Sequence, residues 1–422
     1  MNFRLNLIKI NYGYSLLIFI LLYSSLIFGF FFNEDSNGGA YLDYINQDII
    51  VNKFKENFFL SLLSYDEFTT RHSPVLIALI SVLKKINFSE EFIRFLHLNT
   101  CLILPITFYY ILKNKFSHNN HNKNLFCLLV GLIFLSPTYR SLSIWPDSRL
   151  LGLSFFVLSI LFFIKFNNNK SIKYVYLNIV SYTIASYLSP NFSVFSIFFF
   201  YKYFKFFGLS KKLFEIIIIN IILSLPAFYF IFYLDINFLN KSAAVNYVNV
   251  KSIFFKNIFN QILIIPTIFL FYLLPFLYFK IINFNKVNLR KSLTISLALF
   301  VVSVYFFDYN FTYTGGGIFF KISYYIFKNN ILFYIIALIS LVIVISFIIE
   351  KLDNLIIFVL LILSNPQITI YHKYYDPLLI ILFFSLFCFK TNLKKLSINT
   401  KTVLIYFYFL IFLLMGIFKG HI

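Results

Sequence analysis

PVLIALISVL, residues 74–83, is the stretch that decides the topology of this chain. It is apolar throughout, yet about half the length of roughly 20 residues that a helix needs to cross a bilayer. Ser73 in front of it supplies an N-cap and Pro74 a first-turn proline. Together they predict a short helix lying at the membrane interface. One more span at this point would carry every later loop to the opposite side.

Composition sets the solvent. Of 422 residues, 60% are hydrophobic, 22% aromatic and only 12% charged, with a mean hydropathy of +0.82. Soluble domains run at about 45–50% apolar and about 25% charged, so an ordinary globular protein is excluded. A disordered chain is excluded as well, since it would be poor in aromatic and branched residues. Apolar runs near 13–32, 91–112, 125–137, 147–164, 174–188, 191–207, 213–234, 258–279, 292–307, 330–349, 354–364, 376–389 and 402–418 read as transmembrane helices. The expected fold class is therefore all-α: a polytopic integral membrane protein of about 13 transmembrane helices. It forms a single membrane-embedded domain over 1–422 with no separate soluble domain. The first run has a basic start (Arg4, Lys9) but is too long for a signal-peptide core and is followed by no small-residue cleavage site. Cys101, Cys127 and Cys388 all fall in apolar runs, with neither disulfide-framework nor metal-ligand spacing.

The net charge of +20 suggests nucleic acid only until the charges are assigned to sides. With the N-terminus inside and 74–83 not spanning, 21 Lys and Arg fall on the inner side and 15 on the outer. Thirteen of the 16 acids fall outside, leaving +18 against +2. That is the positive-inside bias of a membrane protein, and it would reverse if 74–83 spanned. No nucleic-acid partner is expected.

In this orientation the distinctive polar stretches share the outer face: NEDSNGGAYLDYINQD (33–48), TTRHSP (69–74), SPTYRSLSIWPDSR (136–149), YLSPN (187–191), DYNFTYTGGG (308–317) and NPQITIYHKYYDP (365–377). The span centres are almost free of ionisable residues, unlike those of a transporter, whose polar elements sit at the midplane. Residues 33–90 make the longest outer loop. Within it, 41–64 carries Ile50, Phe54, Phe58 and Leu62 on one helical face and Asp48, Asn52, Lys53 and Glu56 on the other, as in an interfacial helix.

Glu34 and Asp35 directly follow the first span, where a carboxylate can act as general base toward a hydroxyl; Asp43 and Asp48 compete for that role. Asp147 is a second acid in an acid-poor stretch. Arg71, His72, Arg140, Arg149, His372 and Lys373 all lie at outer helix ends. Arginines combined with helix N-termini, as at Pro146-Asp147 and Asp376-Pro377, form a receiver for phosphate. Gly315-Gly316-Gly317 lacks the Lys-Ser/Thr of a P-loop and reads as a turn in a covering loop.

This order of elements resembles the GT-C superfamily of membrane glycosyltransferases, with bacterial lipid A aminoarabinose transferases and protein O-mannosyltransferases the nearest look-alikes. The resemblance rests on Asn33-Glu34-Asp35 after the first helix, Arg71-His72-Ser73-Pro74-Val75-Leu76 opening a helix, and Arg94 in EEFIRFLHLN. It continues in Ser136-Pro137-Thr138-Tyr139-Arg140 and Pro146-Asp147-Ser148-Arg149, and covers roughly residues 1–200. The usual Asp-Glu order is reversed to Glu34-Asp35, which leaves the base open between the two, and Ser73 replaces the first proline of a His-Pro-Pro start.

The resemblance implies transfer of a hexosyl or pentosyl group from a polyprenyl-phosphate-linked donor to a hydroxyl of a lipid, glycan or protein acceptor, with inversion. It places the protein in a bacterial inner membrane, N-terminus cytoplasmic and site facing the periplasm. Asp35 or Glu34 would deprotonate the acceptor. Arg149, Arg140, Arg71, His72, His372 and Lys373 would hold the donor phosphate, Asp147 or Asp43 would orient the acceptor or a metal, and Tyr374 and Tyr375 would line the cavity. No cofactor is specified: carboxylates are available for a divalent metal, but no ligand spacing points to an ion. Two other classes share many of these features. A polysaccharide polymerase or ligase would concentrate its cations in a large late loop, whereas the largest loop here comes first. A lipid or oligosaccharide flippase would be expected to carry polar groups inside its spans.

Overall fold

The computed structural model describes residues 12–68, 70, 72–116, 123–234, 236, 250–283, 289–313, 315–393 and 400–419. Its helices in chain order are α1 (Tyr12–Phe31), α2 (Ala40–Glu56), α3 (Phe58–Leu63), α4 (Pro74–Lys85), α5 (Glu90–Cys101), α6 (Ile103–Phe116), α7 (Lys123–Gly131), α8 (Pro137–Ile144), α9 (Ser148–Asn169) and α10 (Ile172–Leu188). There follow α11 (Ser196–Phe207), α12 (Lys211–Phe228), α13 (Val250–Tyr278), α14 (Leu289–Tyr305), α15 (Gly317–Phe327), α16 (Ile331–Glu350), α17 (Leu352–Leu363), α18 (Leu378–Ser385) and α19 (Thr400–Lys419). The described strands are two residues each, Ile282–Asn283 and Lys390–Thr391, paired antiparallel with Ile282 opposite Thr391.

The protein is thus all-α, and its apolar helices fit a membrane. Each of the thirteen apolar segments contains helix. Among the described residues, however, six helices are long and apolar enough to cross a membrane: Glu90–Phe116, Ser148–Asn169, Lys211–Tyr233, Asn257–Tyr278, Ile331–Glu350 and Thr400–Phe418. A seventh is counted if Asn124–Leu135 and Pro137–Ile144, bent by 67° at Ser136, form one broken span. The segment expected at 376–389 holds only the eight-residue α18.

The chain divides into two compact units: Met1–Asn246 with Ile398–Ile422, and Tyr247–Ser397. In the first, the short helix at 74–83 is α4, opened by the Ser73 hydroxyl accepting the Val75 N–H and by Pro74 in the first turn. Ile50, Val51 and Phe54 of α2 pack with Leu76, Ile77 and Ile80 of α4, Ile93 of α5 and Leu151 of α9. Burying each such side chain is worth about 1.5–3 kcal/mol. Lys84 and Asp48, 2.5 Å apart, add an ion pair between α2 and α4.

The single amphipathic helix expected over 41–64 is two helices. Asn57, extended at φ −145°, breaks the helix and starts α3, its side chain accepting the Leu60 N–H that the break would leave without a partner. Deeper in the unit, Asn178 of α10 gives its Nδ2 to the Ser159 carbonyl and accepts the Tyr203 hydroxyl, joining α9, α10 and α11 through a satisfied buried amide.

The second unit surrounds α13. Phe269 meets Phe358, Phe383 and Phe387 edge-on, and Phe276 meets Phe384 in the same way. At one end of α13 three buried amides, Asn257, Asn260 and Gln261, replace the apolar pattern.

Candidate active site

The first unit gathers its polar groups where α1 ends against α8. Within SPTYRSLSIWPDSR, expected as an outer loop up to a helix start at Pro146-Asp147, residues Pro137–Ile144 form a helix, α8, every residue of which is buried, and Asp147 opens α9 as expected. A polar helix tolerates that position only if its hydrogen-bonding groups find partners, and here the turn after α1 supplies them. Ser36 donates its hydroxyl to the Pro137 carbonyl and sits 3.3 Å from the Ser141 hydroxyl, which also accepts the Asn37 N–H at 2.7 Å.

Glu34 and Arg140 form the strongest contact of this centre. Arg140 Nε donates to Glu34 Oε1 at 2.7 Å and Nη2 to Oε2 at 2.5 Å. The guanidinium also reaches the Ser25 hydroxyl and carbonyl at 3.0 and 2.9 Å. With side-chain exposures of 7% and 11%, the pair is largely withdrawn from water. Gly29 makes room for it, because a Cβ there would run into both the carboxylate and the guanidinium.

Asp35 is used differently. Its Oδ2 accepts the N–H groups of Gly39 and Tyr41 at 2.8 and 3.2 Å, and its Oδ1 accepts that of Ala40 at 3.2 Å. The carboxylate therefore gathers the orphan donors at the start of α2, where the helix dipole favours negative charge. Gly39, with φ of 110°, provides the left-handed turn that brings those donors round.

Asp147 caps α9, accepting the Arg149 N–H at 2.7 Å, and lies 3.4 Å from the Arg149 guanidinium. Asp43 occupies the first turn of α2. His72 accepts the Tyr65 hydroxyl on its carbonyl at 2.6 Å. Arg71 lies outside the described residues. Glu34, Asp35, Arg140, Asp147 and Arg149 thus share the first unit. His372, Lys373, Tyr374 and Tyr375 belong to the second, where the Tyr272 hydroxyl lies 3.1 Å from His372 Nδ1 and Tyr375 is fully buried.

Other groups of this centre are not evident as site residues from sequence. Arg94 lies with its guanidinium carbon 3.6 Å from the centre of the Trp145 ring. It donates Nη2 to Asn33 Oδ1 at 2.8 Å and Nε to the Ile144 carbonyl at 3.2 Å. Trp145 in turn donates its indole N–H to the Glu34 carbonyl at 3.2 Å, and the rings of Tyr41 and Tyr44 approach it at 4.7 and 5.7 Å. A desolvated cation–π contact of this kind is worth about 2 kcal/mol. Burial, with Glu90 nearby, pushes the Tyr44 phenol well above its ordinary pKa, so it stays a neutral hydroxyl. Arg94 is singled out in EEFIRFLHLN only as part of the resemblance, with no partner or role attached to it there.

The acids do not assemble a metal site. Glu34 is taken by Arg140, Asp35 by three backbone donors and Asp147 by Arg149. Among the described residues no three His, Cys, Asp or Glu side chains converge. No family model, curated protein or solved structure matches the chain.

Proposed function

We propose that the protein is a GT-C-type membrane glycosyltransferase that moves a sugar from a polyprenyl-phosphate donor to an acceptor hydroxyl at the extracytoplasmic face. One observation carries the reading: within the first unit, the two carboxylates after α1 lie against a buried polar helix whose Arg140 pairs with Glu34, and the next helix, α9, opens on the Asp147–Arg149 pair. Thirteen spans, an inner N-terminus and a bacterial inner membrane remain part of this proposal, supported by the charge bias of the sequence.

In this mechanism Asp35 is the base. Glu34 serves as counter-ion to Arg140, whereas Asp35 has no cationic partner among the described residues. The acceptor oxygen bonds to the anomeric carbon as its proton passes to Asp35. The bond from that carbon to the phosphate oxygen breaks, inverting the centre and leaving polyprenyl phosphate. Arg149, close to the N-terminus of α9, takes up the charge developing on that phosphate. Arg140 contributes through its hold on Glu34 rather than as a free phosphate ligand. His72 and Arg71 stay candidates for the donor, and Asp43 for the acceptor.

The test is reconstitution in bilayers with a radiolabelled polyprenyl-phosphate sugar and cell-envelope lipid or glycan acceptors. A labelled product with released polyprenyl phosphate supports the reading. Translocation of the label without new bonds overturns it in favour of a flippase.

A further inference from the structure

The second unit holds a carboxylate built unlike any of those after α1. Asp308, exposed, accepts Asn260 Nδ2 on its Oδ1 at 2.8 Å, and its own N–H donates to Asn260 Oδ1 at 3.2 Å. Asn260 is buried, so the acid is fixed by a two-way clasp to a neutral amide. Among the described residues Asp308 has no ion-pair partner, and its Oδ2 stays open.

The same end of α13 fixes a second polar group. Asn257, hydrogen-bonded to Asn260 at 3.4 Å, donates to the Gln367 carbonyl, and Gln261 donates Nε2 to the Asn365 carbonyl at 2.7 Å. The Gln367 side chain accepts the Tyr374 hydroxyl on Oε1 at 2.8 Å, which leaves its Nε2 as an open donor. The loops bearing Asp308 and Gln367 are also tied directly, since the Ile370 N–H reaches the Tyr309 hydroxyl at 3.1 Å and the Gly316 N–H reaches the Ile370 carbonyl at 2.8 Å. Tyr371 and Tyr374 lie edge to face beside Gln367. Gln261 Oε1 is buried with no partner among the described residues, the kind of orphan atom that a bound water or hydroxyl satisfies.

An uncompensated carboxylate repels phosphate. A preset acceptor, a preset amide donor and tyrosine rings suit vicinal hydroxyls and the C–H face of a sugar ring, because neutral hydroxyls exchange their water hydrogen bonds for fixed ones. We propose that Asp308, Gln367 and Tyr374 form, within the second unit, a subsite for a neutral, hydroxyl-rich sugar. The proposal goes beyond the glycosyltransferase reading and stands on the second unit alone.

The test uses the full chain in nanodiscs, with maltotriose, cellotriose and mannotriose as probes and saturation-transfer NMR as the readout. At least one trisaccharide should bind the wild type, and Asp308→Asn and Gln367→Ala should each weaken it tenfold or more without moving the melting temperature. The proposal is overturned by absence of binding for all three probes, by equal binding in the variants, or by sodium stabilising the wild type through Asp308 in place of sugar. Failure here with sugar transfer from the polyprenyl donor intact removes the subsite alone. Trisaccharide binding without transfer removes the glycosyltransferase reading and leaves a glycan-binding site.

Discussion

Arg140 grips both carboxylate oxygens of Glu34, at 2.7 and 2.5 Å, from a helix 106 residues further along the chain. Neither side chain has water enough to replace its partner. Removing one member strands the other, which costs about 3–5 kcal/mol in buried pairs. Arg140→Ala and Glu34→Gln should each lower the melting temperature sharply in detergent. The double variant should recover part of the loss, and strictly additive losses would show that the pair is not coupled.

Gly29 should behave as a part of that pair. Gly29→Ala places a methyl group against both partners, and overpacking of this sort costs about 1–3 kcal/mol. Because alanine favours helix over glycine, an increase in melting temperature would contradict the packing described around Glu34.

Asp35→Asn should abolish sugar transfer while sparing insertion. Its one remaining side-chain oxygen still accepts part of the three N–H groups at the start of α2, so the fold survives with a lowered melting temperature while the proton acceptor is lost. A fully active variant would sink the assignment of the base. Glu34→Gln, if it can be purified, should lose activity in proportion to its lost folding.

For Arg149 the expected effect lies on the donor. Arg149→Ala should raise the donor KM and lower kcat/KM by about 100-fold or more, the scale seen when one electrostatic stabiliser is removed. Arg149→Lys should restore part of it. Unchanged dependence on the polyprenyl-phosphate donor would argue against phosphate binding there.

His372 gives a pH prediction. Burial pushes its pKa down from 6.5 to about 3, so the folded protein keeps it neutral. The unfolded chain takes up a proton below pH 6.5 that the folded chain refuses. Stability is therefore fully present above that pH and falls between about pH 6.5 and 3, at up to about 1.4 kcal/mol per unit. His372→Gln should flatten this part of the melting-temperature profile, and identical slopes for both proteins would refute it.

Much of this architecture is legible where the cause is local. Ser73 and Pro74 announce α4 because a cap and a first-turn proline act within four residues, and the apolar runs announce helices because composition alone requires them. Asn57 interrupts the helix expected over 41–64 by the same local chemistry, hidden there by an unbroken apolar spacing. The polar stretch 136–149 is different: it reads as loop because its partners, Ser25, Glu34 and Ser36, lie about a hundred residues away. The stacking of Arg94 on Trp145 escapes notice for the same reason. A stacked guanidinium leaves no periodicity, and only the fold puts the two rings and the charge together.

The sequence contains one tryptophan, and the fold places it at the turn that carries Glu34 and Asp35. Trp145 therefore makes the protein its own fluorescent reporter. Its indole is packed between a guanidinium and two tyrosines, so its emission colour and lifetime register any displacement of Arg94 or of the Glu34 carbonyl. Among 31 tyrosines and a single tryptophan, excitation energy drains toward that one ring. Occupancy of the first unit's centre can be followed by its light alone, in native lipid, with no label attached.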